Sequence, residues 1–296
     1  MPSPIPLALA LPSPLIELAD DRLAAAGIRL WLKRDDLISA DLPGNKWRKL
    51  KYNLAAARGE GHSTLLTFGG AYSGHIRAVA AAGHFFGFAT VGVIRGEEHQ
   101  PLNDSLRYAV SRGMRLTYLD RAAYRRKGTP EVTARLLAEF GRCYVLPEGG
   151  SNALAVRGCA EIPAEISEPL DVICCPCGTG GTLAGLAAGL RDGQRALGFA
   201  VLKGAEFLDG EVSRLQREAL GAPTANWSVR HDFHFGGYAR STAELAGFIA
   251  DFRRRHGIEL DRVYVAKMMC GIFTLAERNT FRPGTRLAAV ITGPSG

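Results

Sequence analysis

The chain has 296 residues, 47% of them hydrophobic and 22% charged, a mixture that fills at least one large core and excludes a peptide-sized module or a disordered chain. Thirty-six lysines and arginines against 29 aspartates and glutamates leave a formal charge of +7, without the basic tail or repeated basic stripe expected of a nucleic-acid binder. Six cysteines are too few for a disulfide scaffold of this length, and no apolar run reaches the roughly 20 residues of a membrane span.

Residues 1–14 are broken by prolines and lack a basic start, so they read as a surface arm rather than a signal peptide, with the cytosol as the expected compartment. IRLWLK at 28–33 is strand-like. A loop through Pro43 and Gly44 then leads into a helical pattern from Lys46, with Trp47, Leu50 and Leu54 spaced by three and four. A strand–helix rhythm follows: strand 64–70, an alanine-rich helix from Ile76, strand 90–94, helix 105–114, strand 115–119, a helix at about 129–140, and a strand from Cys143 to Gly149-Gly150. After residue 160 come the apolar run 171–177, a glycine loop and a small-residue helix, then strand 195–202 and helices 211–220 and 241–257. VYVAK at 263–267 and LAAVITG at 287–293 read as the closing strands. This alternation predicts mostly parallel sheets with right-handed crossovers, in two α/β lobes that share an interface because no Pro/Ser-rich linker divides them.

Three strand-to-helix or loop-to-helix junctions could carry chemistry. Gly44-Asn45-Lys46 puts an amine at a helix entrance, where positive charge is disfavoured and a proton is more easily lost; a neutral amine is what imine formation with an aldehyde needs. On the residues alone a solvent-facing lysine is the better reading, since Arg48, Lys49 and Lys51 crowd the same segment. Gly178-Thr179-Gly180-Gly181-Thr182 follows a buried strand and offers backbone N–H groups to a phosphate, although a plain tight turn competes and neither nucleotide fingerprint is present. In Gly69–His75, Ser73 can cap the next helix, bind a carboxylate, or do both.

Cys174 and Cys177 lack a second close pair, and His231 and His234 lack an acidic third ligand, so no metal is expected and the thiols read as apolar filler. HDFHFGGYAR at 231–240 reads as a mobile loop at the mouth of a site.

In chain order, PLIELADDRL, LWLKRDDL, GNKWRKLKYNL, GGAYSGHIRAVAAAG, PLNDSLRYAVSRG, LPEGGSNALAVRG, CGTGGTLAGLAAGL, VYVAKMMCG and the terminal ITG resemble one family over almost the whole chain. It is the family of 1-aminocyclopropane-1-carboxylate (ACC) deaminase and D-cysteine desulfhydrase, pyridoxal-phosphate (PLP) enzymes of the tryptophan synthase β-subunit fold. The resemblance implies a two-domain α/β, fold-type II architecture with mostly parallel sheets flanked by helices. A discontinuous cofactor domain would span 1–49 and 159–296, with a small α/β domain at 50–158, commonly in a homodimer.

It further implies pyridoxal 5'-phosphate as cofactor, with Lys46 as the Schiff-base lysine and Asn45, Gly178, Thr179, Gly180, Gly181, Thr182 and Thr292 around it. Lys46, Ser73 and Tyr264 would be catalytic, and Ser73, Gly74, His75, Tyr238 and Tyr264 would face a small amino-acid substrate. No metal, nucleic acid or membrane partner is implied. Three departures stand out: Gly74 replaces an asparagine, Val265 replaces a glutamate or threonine, and Ile291-Thr292-Gly293-Pro294 replaces His-Thr-Gly-Gly or its leucine-bearing variant. The loss of the acid at Val265, together with Thr292, favours β-elimination of D-cysteine or a related β-substituted amino acid to pyruvate, ammonia and sulfide. The alternatives are ACC ring opening to α-ketobutyrate and ammonia, a β-replacement synthase, or a non-catalytic amino-acid-binding homologue.

Overall fold

Strand β1 (Leu15–Leu18) pairs antiparallel with β2 (Arg29–Lys33), Leu15 opposite Lys33 and Leu18 opposite Leu30, across the short helix α1 (Asp21–Ala25), which Asp20 caps through the Arg22 N–H. The computed structural model describes residues 7–42 and 44–293; expectations placed on residues 1–6, Pro43 and Pro294 lie outside that range.

The chain continues through α2 (Asn45–Gly59), β3 (Thr64–Gly69), α3 (Gly74–Phe86), β4 (Ala89–Arg95), α4 (Asp104–Ser111), β5 (Met114–Leu119), α5 (Arg121–Arg125), α6 (Pro130–Phe140) and β6 (Tyr144–Leu146). Strands β3–β6 form a four-stranded parallel sheet of order β5-β4-β3-β6. Next come α7 (Ala153–Cys159), β7 (Val172–Cys177), α8 (Gly181–Gly189), β8 (Arg195–Ala200), α9 (Phe207–Leu220), β9 (Trp227–Arg230), α10 (Ala243–His256), α11 (Val265–Glu277) and β10 (Arg286–Val290). They complete a six-stranded sheet of order β1-β2-β10-β7-β8-β9, parallel except at β1.

The central strands are covered on both faces, which is why they read as unbroken apolar runs. Successive side chains point to opposite faces of the sheet. Leu30, Cys174, Phe199 and Leu287 accordingly pack into one core with α10 and α11, whereas Trp31, Ile173, Cys175, Ala196 and Ala288 pack into another with α8 and α9. All six cysteines are free and buried. No helix among the described residues is long and apolar enough to cross a membrane.

The strand expected at 263–267 is not formed; α11 begins at Val265 instead. The Asp261 carboxylate accepts the N–H groups of Val263, Tyr264 and Val265 at 3.0, 2.8 and 2.7 Å, satisfying donors that a helix start leaves open. The helix then buries Val265, Met268, Met269, Ile272 and Phe273, and this packing overrides the local β-branched preference. The edge strands β1 and β9 were not expected: four residues each is too short for a clear alternation.

Candidate active site

The carboxyl ends of β3, β4, β6, β7 and β10 open on one cleft of about 1970 Å³, the position where parallel α/β sheets gather ligands. Asn45, Lys46, Ser73, Gly74, His75, Gly178, Thr179, Gly180, Thr182, Tyr238, Tyr264 and Thr292 all line it. Gly181 and Val265 are not among the lining residues: Gly181 packs against Ser151 beneath the loop, and Val265 is buried in the core with α10.

The floor is built by backbone contact. Gly44 turns the chain into α2 at φ 68°, and a Cβ there would sit 1.7 Å from the Thr292 carbonyl oxygen, which accepts the Asn45 N–H at 3.3 Å. Gly44→Ala is therefore expected to cost more than about 2 kcal/mol of stability, read from the urea midpoint. An unchanged midpoint would mean that the Thr292 segment relaxes freely.

Lys46 keeps one face toward the cleft, and its Nζ donates to Asn45 Oδ1 at 2.7 Å, while Asn45 Nδ2 donates to Thr182 Oγ1 at 2.7 Å. A single carboxamide thus joins the amine to the glycine loop. Burial, followed by the charge of Lys49, pulls the Lys46 ammonium down to about 7, so a large neutral fraction exists at neutral pH. The solvent-facing reading of this lysine gives way to the tertiary contacts.

Lys49, which the sequence reading grouped with surface cations, is buried behind the loop. Its Nζ donates to Ser151 Oγ at 3.0 Å and to the Gly149 carbonyl at 3.1 Å, and Ser151 Oγ lies 2.7 Å from Thr179 Oγ1. A Cβ at Gly149 would meet Thr179 Oγ1 at 2.7 Å and one at Gly181 would meet Ser151 Oγ at 2.5 Å, so two glycines allow the turn and the loop to close on each other. Gly180 enters α8 at φ 73° and no side chain among the described residues caps that helix, so its first N–H groups are left open next to the cleft that Gly180 and Thr182 line, with the buried Lys49 amine close by. That donor set suits a phosphate. The signal for Lys49 was its spacing of three from Lys46, which sets both on one helix face.

Ser73 does cap α3, its Oγ accepting the Ile76 N–H at 3.4 Å, and it lines the cleft as well. The Thr67 hydroxyl donates to the Leu146 carbonyl at 3.1 Å, so its oxygen is left to accept from His75 Nε2 at 2.8 Å. His75 therefore carries its proton on Nε2, and Nδ1 has no partner among the described residues. Burial, then Lys46 and Lys49, hold this imidazole well below its ordinary value, so it is neutral. A Cβ at Gly74 would meet nothing within 4 Å among the described residues.

Tyr264 is fixed by the Asp261 turn, and its ring lies over Gly178, where a Cβ would be 3.2 Å from the ring edge. Burial, followed by neighbouring Tyr238, pushes the phenol well above 10, which keeps it a proton donor. The Tyr238 ring meets it edge-on at 6.0 Å. The loop that carries Tyr238 is bonded to Lys267 of α11, which donates to the carbonyls of His234 and Gly237. His231 is engaged by Asp209, and His234 Nδ1 accepts the Gly236 N–H.

The family described as pyridoxal-phosphate dependent enzyme matches residues 8–293. The chain is 32% identical over 282 residues to a putative 1-aminocyclopropane-1-carboxylate deaminase of Pyrococcus furiosus, spanning 90% of this chain and 85% of that protein. It is 29% identical over 290 residues to a D-cysteine desulfhydrase of Yersinia enterocolitica, spanning 90% and 87%. Among solved structures, it is similar to an ACC deaminase homologue with a TM-score of 0.85 and 28% identity, over 99% of this chain and 92% of that one.

Proposed function

The chain belongs to the pyridoxal-phosphate dependent enzyme family, with the two-domain α/β architecture of the tryptophan synthase β-like fold, and from that premise we propose that its cleft deaminates a small amino acid by lyase chemistry. The observation that carries this reading is the Asn45 carboxamide bridging the Lys46 amine and the glycine loop, so that an aldehyde-reactive amine and a phosphate cradle belong to one site.

The residues present fit pyridoxal phosphate. The open N–H groups of α8 with Thr179 and Thr182 would hold the phosphate, with Lys49 adding charge from behind, and Lys46 would react with the aldehyde. When bound, the cofactor supplies an electron sink for the substrate α-carbon. The residues do the rest. Ser73 and the start of α3 bind the substrate carboxylate, with Gly74 leaving room beside it. Lys46, once its amine is free, takes or returns the proton at the α-carbon, and its lowered pKa suits that exchange near neutrality. Tyr264, kept protonated, donates to the departing or opening group, and Tyr238 closes the substrate side. His75, neutral and held by Thr67, orients the segment rather than exchanging protons.

We place the cofactor domain at 1–49 and 159–296, the small domain at 50–158, and the working form as a homodimer. The likeness to the ACC deaminase homologue favours opening of ACC to α-ketobutyrate and ammonia. A second reading, β-elimination of D-cysteine to pyruvate, ammonia and sulfide, is favoured by the hydroxyl-bearing Thr292 in the cleft. An amino-acid panel followed by absorbance and coupled to α-ketobutyrate, pyruvate and sulfide detection separates them. A holoenzyme that turns over neither compound would refute both.

The apo-protein should also show the Lys46 amine directly. The neutral form of a base grows as pH rises through its pKa, so the rate of reconstitution with pyridoxal phosphate is expected to climb to about pH 7 and then level. A rate still climbing toward the ordinary lysine value of 10.5 would contradict the assignment.

A further inference from the structure

Lys267 is fully buried, yet among the described residues it meets no carboxylate. Its Nζ donates to the carbonyl oxygens of Val201, His234 and Gly237 at 3.2, 2.8 and 2.6 Å. An ammonium has three N–H donors, and all three are taken up by main-chain oxygens. Burying a cation without a counter-ion is costly, and burial drags Lys267 down to about 8 with Asp261 only partly opposing it. An apolar side chain would fill the same space without that cost, so the lysine's contribution lies in what the three carbonyls belong to.

They belong to Val201, the residue directly after β8, and to both arms of the tight turn at 234–237, where Gly236 and Gly237 take φ of 90° and 111°. Tyr238 follows immediately, its ring edge-on to Tyr264. Tyr264 stands at the cap of α11, three residues before Lys267. One helix start therefore presents a cleft tyrosine and, less than a turn later, the cation that holds the loop bearing that tyrosine's aromatic partner.

We propose that Lys267 is a positioning residue for the reaction: its ammonium sets the height of Tyr238 over the cleft, and so the fit of the amino acid, while touching neither substrate nor cofactor. The proposal rests on the amino-acid-site reading above and adds to it a determinant outside the cleft.

Lys267→Met in the holoenzyme keeps the length and apolar bulk and removes the donors. Expected are unchanged cofactor absorption and a fall of about tenfold in kcat/KM, carried by KM. In a Tyr238→Ala background the same substitution should cost nothing further, because its route of action is already gone. Wild-type kinetics, an equal loss in both backgrounds, or loss of cofactor absorption would each overturn the proposal. Should Lys267→Met fail to fold, Gly237→Ala tests the same anchor from the loop side: the left-handed φ and a Cβ 3.4 Å from Lys203 Cβ displace the Gly237 carbonyl, so the same rise in KM is expected, and an unchanged KM refutes it. The functional reading fails separately, if wild-type protein neither takes up pyridoxal phosphate nor turns over an amino acid. The anchor is then read by hydrogen exchange at residues 236–239, which must rise in Lys267→Met and refutes the proposal by staying at the wild-type level.

Discussion

Lys46→Ala is expected to lower turnover by at least about a thousandfold and to abolish the visible absorption of the lysine-bound cofactor, because in the proposed site one amine would both capture the aldehyde and move the α-proton. Lys49→Ala is the matched control. Lys49 reaches Ser151 and the Gly149 carbonyl rather than Asn45, so its loss should weaken cofactor binding while leaving the absorption of the loaded enzyme intact. The opposite pattern, with Lys49 required for absorption and Lys46 dispensable, would exchange the two assignments.

Stability gives an independent check. A lysine whose folded pKa lies below its unfolded one opposes folding at pH values under the unfolded pKa, with the penalty growing as pH falls from 10.5 to about 7 and constant below that. Apo Lys46→Ala should therefore have a urea midpoint no lower than that of the wild-type apo-protein at pH 7. A clear loss of stability would show that the amine is held for structure.

Arg48→Met should be the most destabilising of these substitutions, by about 3–5 kcal/mol, because it leaves a buried carboxylate without its counter-charge. Arg48 Nε and Nη2 donate to the two Asp35 oxygens at 2.6 and 2.8 Å, and Nη1 and Nη2 donate to Glu165 at 2.8 and 2.9 Å. Lys33 adds a bond to Glu165 and one to the Ser13 carbonyl, both 2.7 Å, and the Ser13 hydroxyl donates to Asp35 at 2.6 Å. The cluster joins the arm, β2, the start of α2 and the segment after α7. It thereby fixes the helix that carries Lys46 two residues earlier. A urea midpoint shift equivalent to under about 1 kcal/mol would show that Asp35 finds water or another partner.

The same cluster sets an acid limit. Burial pushes the Glu165 carboxyl up, but the hydrogen bonds from Arg48 and Lys33 outweigh it and hold the group at about 2, against an ordinary 4.5. A carboxylate lowered on folding adds stability that is complete above its unfolded pKa and disappears as pH drops toward the folded one. Wild-type protein should lose stability between about pH 4.5 and 2, and Arg48→Met should lose less over the same window.

Periodicity alone was enough for the α/β class and the chain order of most strands, since β7, the glycine loop before α8 and the helix after Gly44 are local patterns; the family resemblance, not periodicity, singled out those junctions as the candidate site. The departures at Gly74 and Val265 were equally visible, but their surroundings were not: open space at one, core packing at the other. Local preference failed at 263–267, where three N–H bonds to a single aspartate and the burial of α11 outweigh the strand preference of Val263, Tyr264 and Val265. It failed again for the lysines, because Lys46, Lys49 and Lys267 are alike as letters and differ only in what surrounds each amine: a carboxamide, a serine with a turn carbonyl, or three carbonyls. Burial and partner geometry come from residues far along the chain, 102 positions away for the Lys49–Ser151 bond, and in the proposed site these would decide whether an amine reacts, holds an anion or anchors a loop.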